Sequence, residues 1–239
     1  MSNAERHDLE WTSEQVRRFW DYHSGNPALV GQYFAGTVGR SLLRFVEKHI
    51  QIGTAVDVGC GGGDLMLFLM QRGHDVYGVD QSPVTVEGIN DRFAGLGHFK
   101  GATVGTDRLS DGIADTVFLV EVVEHLDDAA LNNSLDEARR LLKPGGHLVL
   151  TTPNEEDLEA SKIQCPNCLA VFHQVQHVRS WSAETLSRRV SLQGFETRVS
   201  KPTALTRYDG AFDSAYRLFY YLRRRRHRPN LIYIGTRTG

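Results

Sequence analysis

The sequence predicts an α/β domain: a mostly parallel, seven-stranded sheet flanked by helices, with a helical lid before it and a small irregular insertion late in the chain. Three observations carry the prediction. Short β-rich apolar runs alternate with stretches of helical period from about residue 50 to residue 152. A glycine-rich loop, VDVGCGGGD over 56–64, stands where the first run turns into a helix. An acid, Asp80, closes the next run about twenty residues on.

The elements follow in chain order. Residues 13–24 read as a helix capped by Thr12 or Ser13, with Val16, Phe19, Trp20 and His23 on one face. A second helix is expected over roughly 29–50, with Phe34, Val38, Leu42, Phe45 and Val46 inward. TAVDVG (54–59) is a strand, GDLMLFLMQRG (63–73) a helix closed by Gly73, and DVYGVD (75–80) a second strand. Ser82 and Pro83 open another helix. A weaker strand falls at 99–104, and ADTVFLVEV (114–122) is a buried strand. A helix over 128–142 stops at Pro144-Gly145-Gly146, and HLVLTT (147–152) follows as a strand. Residues 153–181 read as irregular. SAETLSRRVSLQG (182–194) is a helix, and FETRVS (195–200) and NLIYIGTR (230–237) are the last strands. The long connection over 203–229 is expected to be partly helical. The chain thus reads as one domain: lid 1–50, cofactor-binding core 51–152, insertion 153–181, and C-terminal helix and strands 182–239.

Composition bounds the function. A net charge of -2 gives no global pull toward nucleic acid or an anionic membrane. No apolar run is long enough to span a bilayer, and the N-terminus lacks the apolar core of a secretory signal. Three cysteines do not make a disulfide framework, so a reducing, cytoplasmic setting is expected.

The loop is more specific than a generic glycine turn. The dinucleotide fingerprint needs glycine at position 64, and Asp64 stands there. The GxGxG spacing of Gly59, Gly61 and Gly63 around Cys60, with Asp57 inside the strand before it, resembles motif I of class I S-adenosylmethionine-dependent methyltransferases. DVYGVD resembles that family's ribose-binding strand, and ADTVFLVEVVEHLDD its fourth strand. LLKPGGHLVLTTPN and HVRSWSAETLSRRVSLQGFE resemble its later segments in the right order. The resemblance implies a Rossmann-like fold and S-adenosyl-L-methionine as cofactor. It implies that Gly59, Gly61 and Asp80 hold the cofactor, that Asp57 suits its ammonium, and that Val120 and Glu121 lie against its methionine portion. The acid that holds the adenine in this family falls at Thr106 or Asp107 here. Phe19 and Tyr22 are candidate lid residues.

Glu121, Glu124 and His125 form ExxEH beyond a strand end. His125, backed by Glu124 and His177, is a candidate general base, with a pKa expected near the working pH. The same motif resembles a divalent-metal site of small-RNA 2′-O-methyltransferases, with His177 in the second-histidine position. Ubiquinone-type O-methyltransferases share the motif and are closer in length and plan. The expected activity is O-methylation of a small-molecule or lipid-linked metabolite. Metal-assisted RNA methylation and a non-catalytic cofactor-binding role stay open as alternatives.

Cys165 and Cys168 precede His173 and His177 in a Cx2C-x4-Hx3H spacing that suits structural zinc. Free thiols with unrelated histidines are the other reading, and His177 cannot easily serve zinc and an active site at once. AYRLFYYLRRRRHR (215–228) reads either as a half-buried helix with a solvated basic end or as a peripheral membrane contact.

Overall fold

The computed structural model describes residues 5–26, 33–206 and 228–239. Its centre is a seven-stranded sheet. In chain order the elements are β1 (His7–Asp8), α1 (Ser13–Gly25), α2 (Phe34–Val46), β2 (Ala55–Val58), α3 (Asp64–Met70), β3 (Val76–Asp80), α4 (Pro83–Phe93), β4 (Phe99–Val104), β5 (Ala114–Val120), α5 (Asp128–Leu141), β6 (Leu142–Pro153), β7 (Lys162–Gln164), β8 (Ala170–His173), α6 (Ala183–Ser191), β9 (Phe195–Thr203) and β10 (Asn230–Arg237). The large sheet runs β4-β3-β2-β5-β6-β10-β9. β2 to β6 are parallel, and β10 inserts antiparallel between β6 and β9. Strand order reverses between β2 and β5, which opens a crevice at their carboxyl ends.

Alternation along the strands explains the two-sided core. In β5, Phe118 packs with α2, α3 and α4 residues such as Leu42, Leu65 and Phe93. Its neighbours Val117 and Leu119 pack on the other face, with Leu131, Leu135, Leu186 and Val190 of α5 and α6. Side chains of period two therefore bury both faces, as a helix-covered parallel sheet requires. Each fully buried Leu or Phe of this kind contributes roughly 1.5–3 kcal/mol.

The helix ends are fixed as their sequences direct. Thr12 caps α1 in a reciprocal box with Gln15, Ser82 caps α4 ahead of Pro83, and Ser182 caps α6 with Thr185. The face of α1 bearing Val16, Phe19, Trp20 and His23 is half-buried, while Tyr22 is exposed. Of the long helix expected over 29–50, residues 33–50 are described, and the helix runs Phe34–Val46 and gives way to a turn over 47–49, short of the expected end. The helical reading of 203–229 and the basic 215–228 run fall almost wholly on residues outside those described. Among the described residues no helix is long and apolar enough to cross a membrane.

The segment 153–181 corrects its irregular reading. It holds a β7–β8 hairpin, and β1 from the N-terminus adds to it in parallel, His7 opposite Ala170 and Asp8 opposite Val171. Trp11 bridges the two parts, its ring edge-on to Phe19 at 5.5 Å and to Phe172 at 5.7 Å. The lid and the insertion therefore form one cap. The signal was missed because the partner strand of β8 lies more than 160 residues away in sequence.

Candidate active site

The glycine loop runs from the end of β2 to α3. Gly59, Gly61 and Gly63 all take left-handed angles, with φ of 77°, 48° and 77°. At Gly59 a side chain is excluded twice over, since a Cβ there would stand 2.7 Å from Val122. The Gly59 and Cys60 N–H groups both donate to the Val79 carbonyl, which ties the loop to β3. Asp80 ends β3 and clasps the loop: its Oδ2 accepts from the Gly61 N–H at 3.1 Å and its Oδ1 from the Ser82 N–H at 3.0 Å. Burial pushes the Asp80 carboxyl up, against those donors. Asp57 is buried one strand inward, and burial, then the Asp80 charge, pushes it to about 7. Burial, then the charges of Asp57 and Asp80, raises the Cys60 thiol well above its ordinary value.

A cleft of about 300 Å³ opens beside this loop, between Ser24 of the cap, Tyr33, Gly61, Gly62 and α4 at Thr85 and Ile89. Beyond β4, the Gly105 N–H donates to the Asp80 carbonyl. The Thr106 hydroxyl is taken by Glu137 at 2.5 Å, whereas Asp107 is exposed on the same edge.

The second half of the site follows β5. Val120 ends the strand, and Glu121 takes φ 54°, an uncommon angle for a side chain of its size. Its N–H is held by the Thr151 carbonyl and hydroxyl at 3.0 and 3.2 Å. Burial raises the Glu121 carboxyl to about 7 and that of Glu124 well above the ordinary range, their own proximity adding to the latter. Neither carboxylate oxygen of Glu124 has a hydrogen-bond partner, and one oxygen of Glu121 is likewise unpaired.

His125 lies inside a cage of aromatic rings. Trp20 of α1 stands edge-on at 4.8 Å, and His177 lies at 4.8 Å on another side. Burial first, then the neighbouring His177, drives the His125 pKa to about 3. That corrects the expectation of a value near working pH: the motif alone shows neither the burial of His125 nor the histidines gathered beside it. Gln176 locks the cage, accepting from the Trp20 Nε1–H at 3.1 Å and donating to the His125 carbonyl at 3.1 Å.

Two groups of potential metal ligands stand out among the described residues. Glu124, His125 and His177 each offer an atom within 4.8 Å of the others, as do Glu156, His173 and His177. Neither group includes a cysteine. The set Cys165, Cys168, His173 and His177 is thus not gathered, which corrects the zinc reading. Cys165 and Cys168 occupy the closed tip of the β7–β8 hairpin, and His173 pairs with Lys162 at its open end. Val171 and Phe172 between them are extended, so the short spacing separates the ligands instead of looping them together. At the tip, the Cys168 backbone N–H, then that of Asn167, holds the Cys165 thiol below its ordinary range.

The structure also shows participants that the sequence did not single out. Glu156, just past β6, meets His177 Nδ1 at 2.5 Å and His173 Nε2 at 3.4 Å. Gln176 gave no sequence signal at all, and Trp20 read only as an inward face of α1.

A mostly parallel sheet with this order, loop and clasping acid defines a Rossmann-like cofactor domain of the kind S-adenosylmethionine-dependent methyltransferases use. The comparisons carry this to a family. The chain belongs to the methyltransferase-domain family, whose model matches residues 31–199. The ubiquinone biosynthesis O-methyltransferase of Pseudomonas paraeruginosa is 29% identical over 168 residues, covering 64% of this chain and 66% of that enzyme. The match thus spans just under two thirds of the relative's length. Among solved structures, the methyltransferase in complex with the Haloferax volcanii Trm112 methyltransferase activator superposes with a TM-score of 0.67 at 18% identity, over 92% of this chain and 98% of that one. The Burkholderia thailandensis 1,6-didemethyltoxoflavin-N1-methyltransferase, bound to 1,6-didemethyltoxoflavin and S-adenosylhomocysteine, gives 0.64 at 14% identity, over 99% and 94%. At such identities the solved structures speak for the fold alone.

Proposed function

We propose that this protein transfers the methyl group of S-adenosylmethionine to an oxygen of a small-molecule or lipid-linked metabolite. The observation that carries the reading is the Asp80–Gly61 clasp set beside the Glu121–His125 turn at one edge of the sheet, beneath the cap. Bound S-adenosylmethionine supplies an electrophilic methyl group on a sulfonium. Asp80 would accept the ribose hydroxyls, Asp57 would face the ammonium, and Asp107 would meet the adenine. Gly59, Gly61 and Gly63 leave room for the cofactor, with Cys60 as backbone between them, and Val120 and Glu121 would flank its methionine end. The cap, through Trp20, would exclude water and hold the acceptor in line with the methyl group.

An acceptor hydroxyl must also lose its proton. The unpartnered Glu124 carboxylate and the rings of His125 and His177 fit a divalent cation. Such an ion would lower the pKa of a coordinated hydroxyl. The name of the ubiquinone relative supports a small acceptor. The test is transfer of labelled methyl from S-adenosylmethionine to a panel of catechols and phenols, with a short RNA as competitor substrate and calorimetric titration of S-adenosylhomocysteine alongside. Binding of S-adenosylhomocysteine with turnover of a phenol supports the reading. Failure to bind it removes the reading, and labelling of the RNA alone replaces the acceptor class.

A further inference from the structure

Glu156, His173 and His177 lie outside the ExxEH motif, yet they form one contiguous array against it, with hydrogen bonds joining His177 to both of the others. The His173 Nδ1 accepts from two backbone N–H groups, those of His177 at 3.2 Å and Val175 at 3.4 Å. An imidazole nitrogen that accepts carries no proton, so the proton of neutral His173 sits on Nε2. That nitrogen lies 3.4 Å from Glu156 Oε1, within ion-pair distance but without a hydrogen bond. The other oxygen of Glu156 meets His177 Nδ1 at 2.5 Å. His177 therefore donates from Nδ1, and its Nε2 keeps a lone pair. The two imidazoles stack nearly parallel, 4.5 Å apart and 14° from coplanar. His125 repeats the pattern, its Nδ1 facing the Gln176 carbonyl at 3.4 Å, which leaves Nε2 free.

Two further observations say what the free nitrogens serve. Glu124, 1% exposed, keeps both carboxylate oxygens unpartnered in the same cluster. Such a group is costly unless a ligand completes it. The chain is also bent to build the cluster. Of the four non-glycine residues with left-handed φ among those described, Glu121 opens the motif, Glu155 precedes Glu156 and Gln176 precedes His177. Strain of this kind persists where surrounding structure enforces it, and it gathers at functional sites.

We infer that Glu156 is a positioning residue for a divalent metal ion held by Glu124, His125 and His177: it fixes the His177 tautomer, and His173 steadies it from behind without ligating. A carboxylate behind a ligating histidine orients the ring and raises its basicity. The inference rests on the cation-site reading above but not on methyl transfer, so the two can fail separately.

The experiment is Mn2+ titration of the protein by calorimetry and by electron paramagnetic resonance, with E156L, E156Q and E124A. Thermal melting first shows which variants fold. Wild type should bind one Mn2+ per chain and E124A none. E156L, which removes the acceptor, should bind about 10–100-fold more weakly. E156Q keeps an oxygen that can accept from the His177 Nδ1–H, and its affinity should stay within a few-fold of wild type. E156L binding like wild type overturns the proposal. So does E156Q falling as far as E156L, which would make Glu156 a ligand itself, and so does wild type binding no Mn2+. Independently of any variant, long-range 1H–15N spectra of the metal-free protein should show His177 protonated at Nδ1 and His173 at Nε2. The reverse tautomers overturn it as well.

Discussion

The Trp20 indole N–H donates to the Gln176 side-chain oxygen at 3.1 Å, joining two residues that stand 156 positions apart in sequence. Gln176 passes the connection on, its amide donating to the His125 carbonyl at 3.1 Å. The cap helix α1 is thereby latched to the turn that carries the candidate chemistry. Removing a buried partner leaves the other unsatisfied and costs about 1–3 kcal/mol. Gln176→Leu should therefore release α1. Amide exchange in residues 13–25 should quicken in this variant, and the acceptor KM should rise before kcat falls. Unchanged protection of α1 would show that the aromatic contacts of Trp11 and Phe19 hold the cap alone.

Asp80 offers the most direct test of the cofactor half. Hydrogen bonds to a charged group are worth about 1.5–3 kcal/mol, or roughly 10–100-fold in affinity. Asp80→Asn should weaken S-adenosylhomocysteine binding by about that factor in a calorimetric titration. Asp75 lies just before the same strand, at the opposite edge of the sheet, where it pairs with His98 and Lys100. Asp75→Asn should leave the affinity unchanged. Equal losses in the two variants would point to a general effect on folding.

These two halves of the site differ in how far the sequence exposes them. Gly59, Gly61, Gly63 and Asp80 are legible because their geometry is local: a strand, a turn that only glycine fits, and an acid one strand later. β10 matches its expected bounds, 230–237, because its apolar run is short and cleanly bounded. The array of Glu156, His173 and His177 is not legible, since its members meet through a hairpin without periodicity. The cysteines show the same limit from the other side. Metal-ligand spacing counts residues along the chain, but β8 is extended between Cys168 and His173, and extension sets distance in space. β1 escaped notice because two residues of strand carry almost no pattern, and their partner lies at the far end of the chain.

Asp57 makes the stability of the fold depend on pH. Its folded pKa is raised from 3.8 to about 7, first by burial and then by Asp80. The folded state therefore holds this proton more tightly than the unfolded chain. Its contribution to stability is fully present below about pH 4 and is lost as pH rises toward 7, at up to about 1.4 kcal/mol per pH unit. The ligand-free protein should melt at a lower temperature at pH 8 than at pH 5.5, and Asp57→Asn should flatten that slope. Cofactor affinity should run the other way. The ionised carboxylate pairs with the ammonium, so binding should tighten from pH 6 to pH 8 in the wild type and not in Asp57→Asn. Parallel slopes in the two proteins would take Asp57 out of the site.

Glu121 combines two costs in one residue. Its backbone is left-handed at φ 54°, and its buried carboxylate keeps one oxygen unpaired. Strain at such an angle costs on the order of 1–3 kcal/mol. Asparagine tolerates that angle and carries no charge. Glu121→Asn should therefore stabilise the ligand-free protein, while Glu121→Gln, which removes only the charge, should stabilise it less. At roughly 2–4 °C per kcal/mol for a chain of this size, the difference is measurable by thermal melting. Both variants should lose methyl transfer by at least about tenfold, because both remove a carboxylate from the edge where the methyl donor and the acceptor would meet. A gain in stability with a loss of turnover would mark Glu121 as a residue kept for chemistry at the expense of folding. A fall in melting temperature in both would mean that the carboxylate holds the turn together.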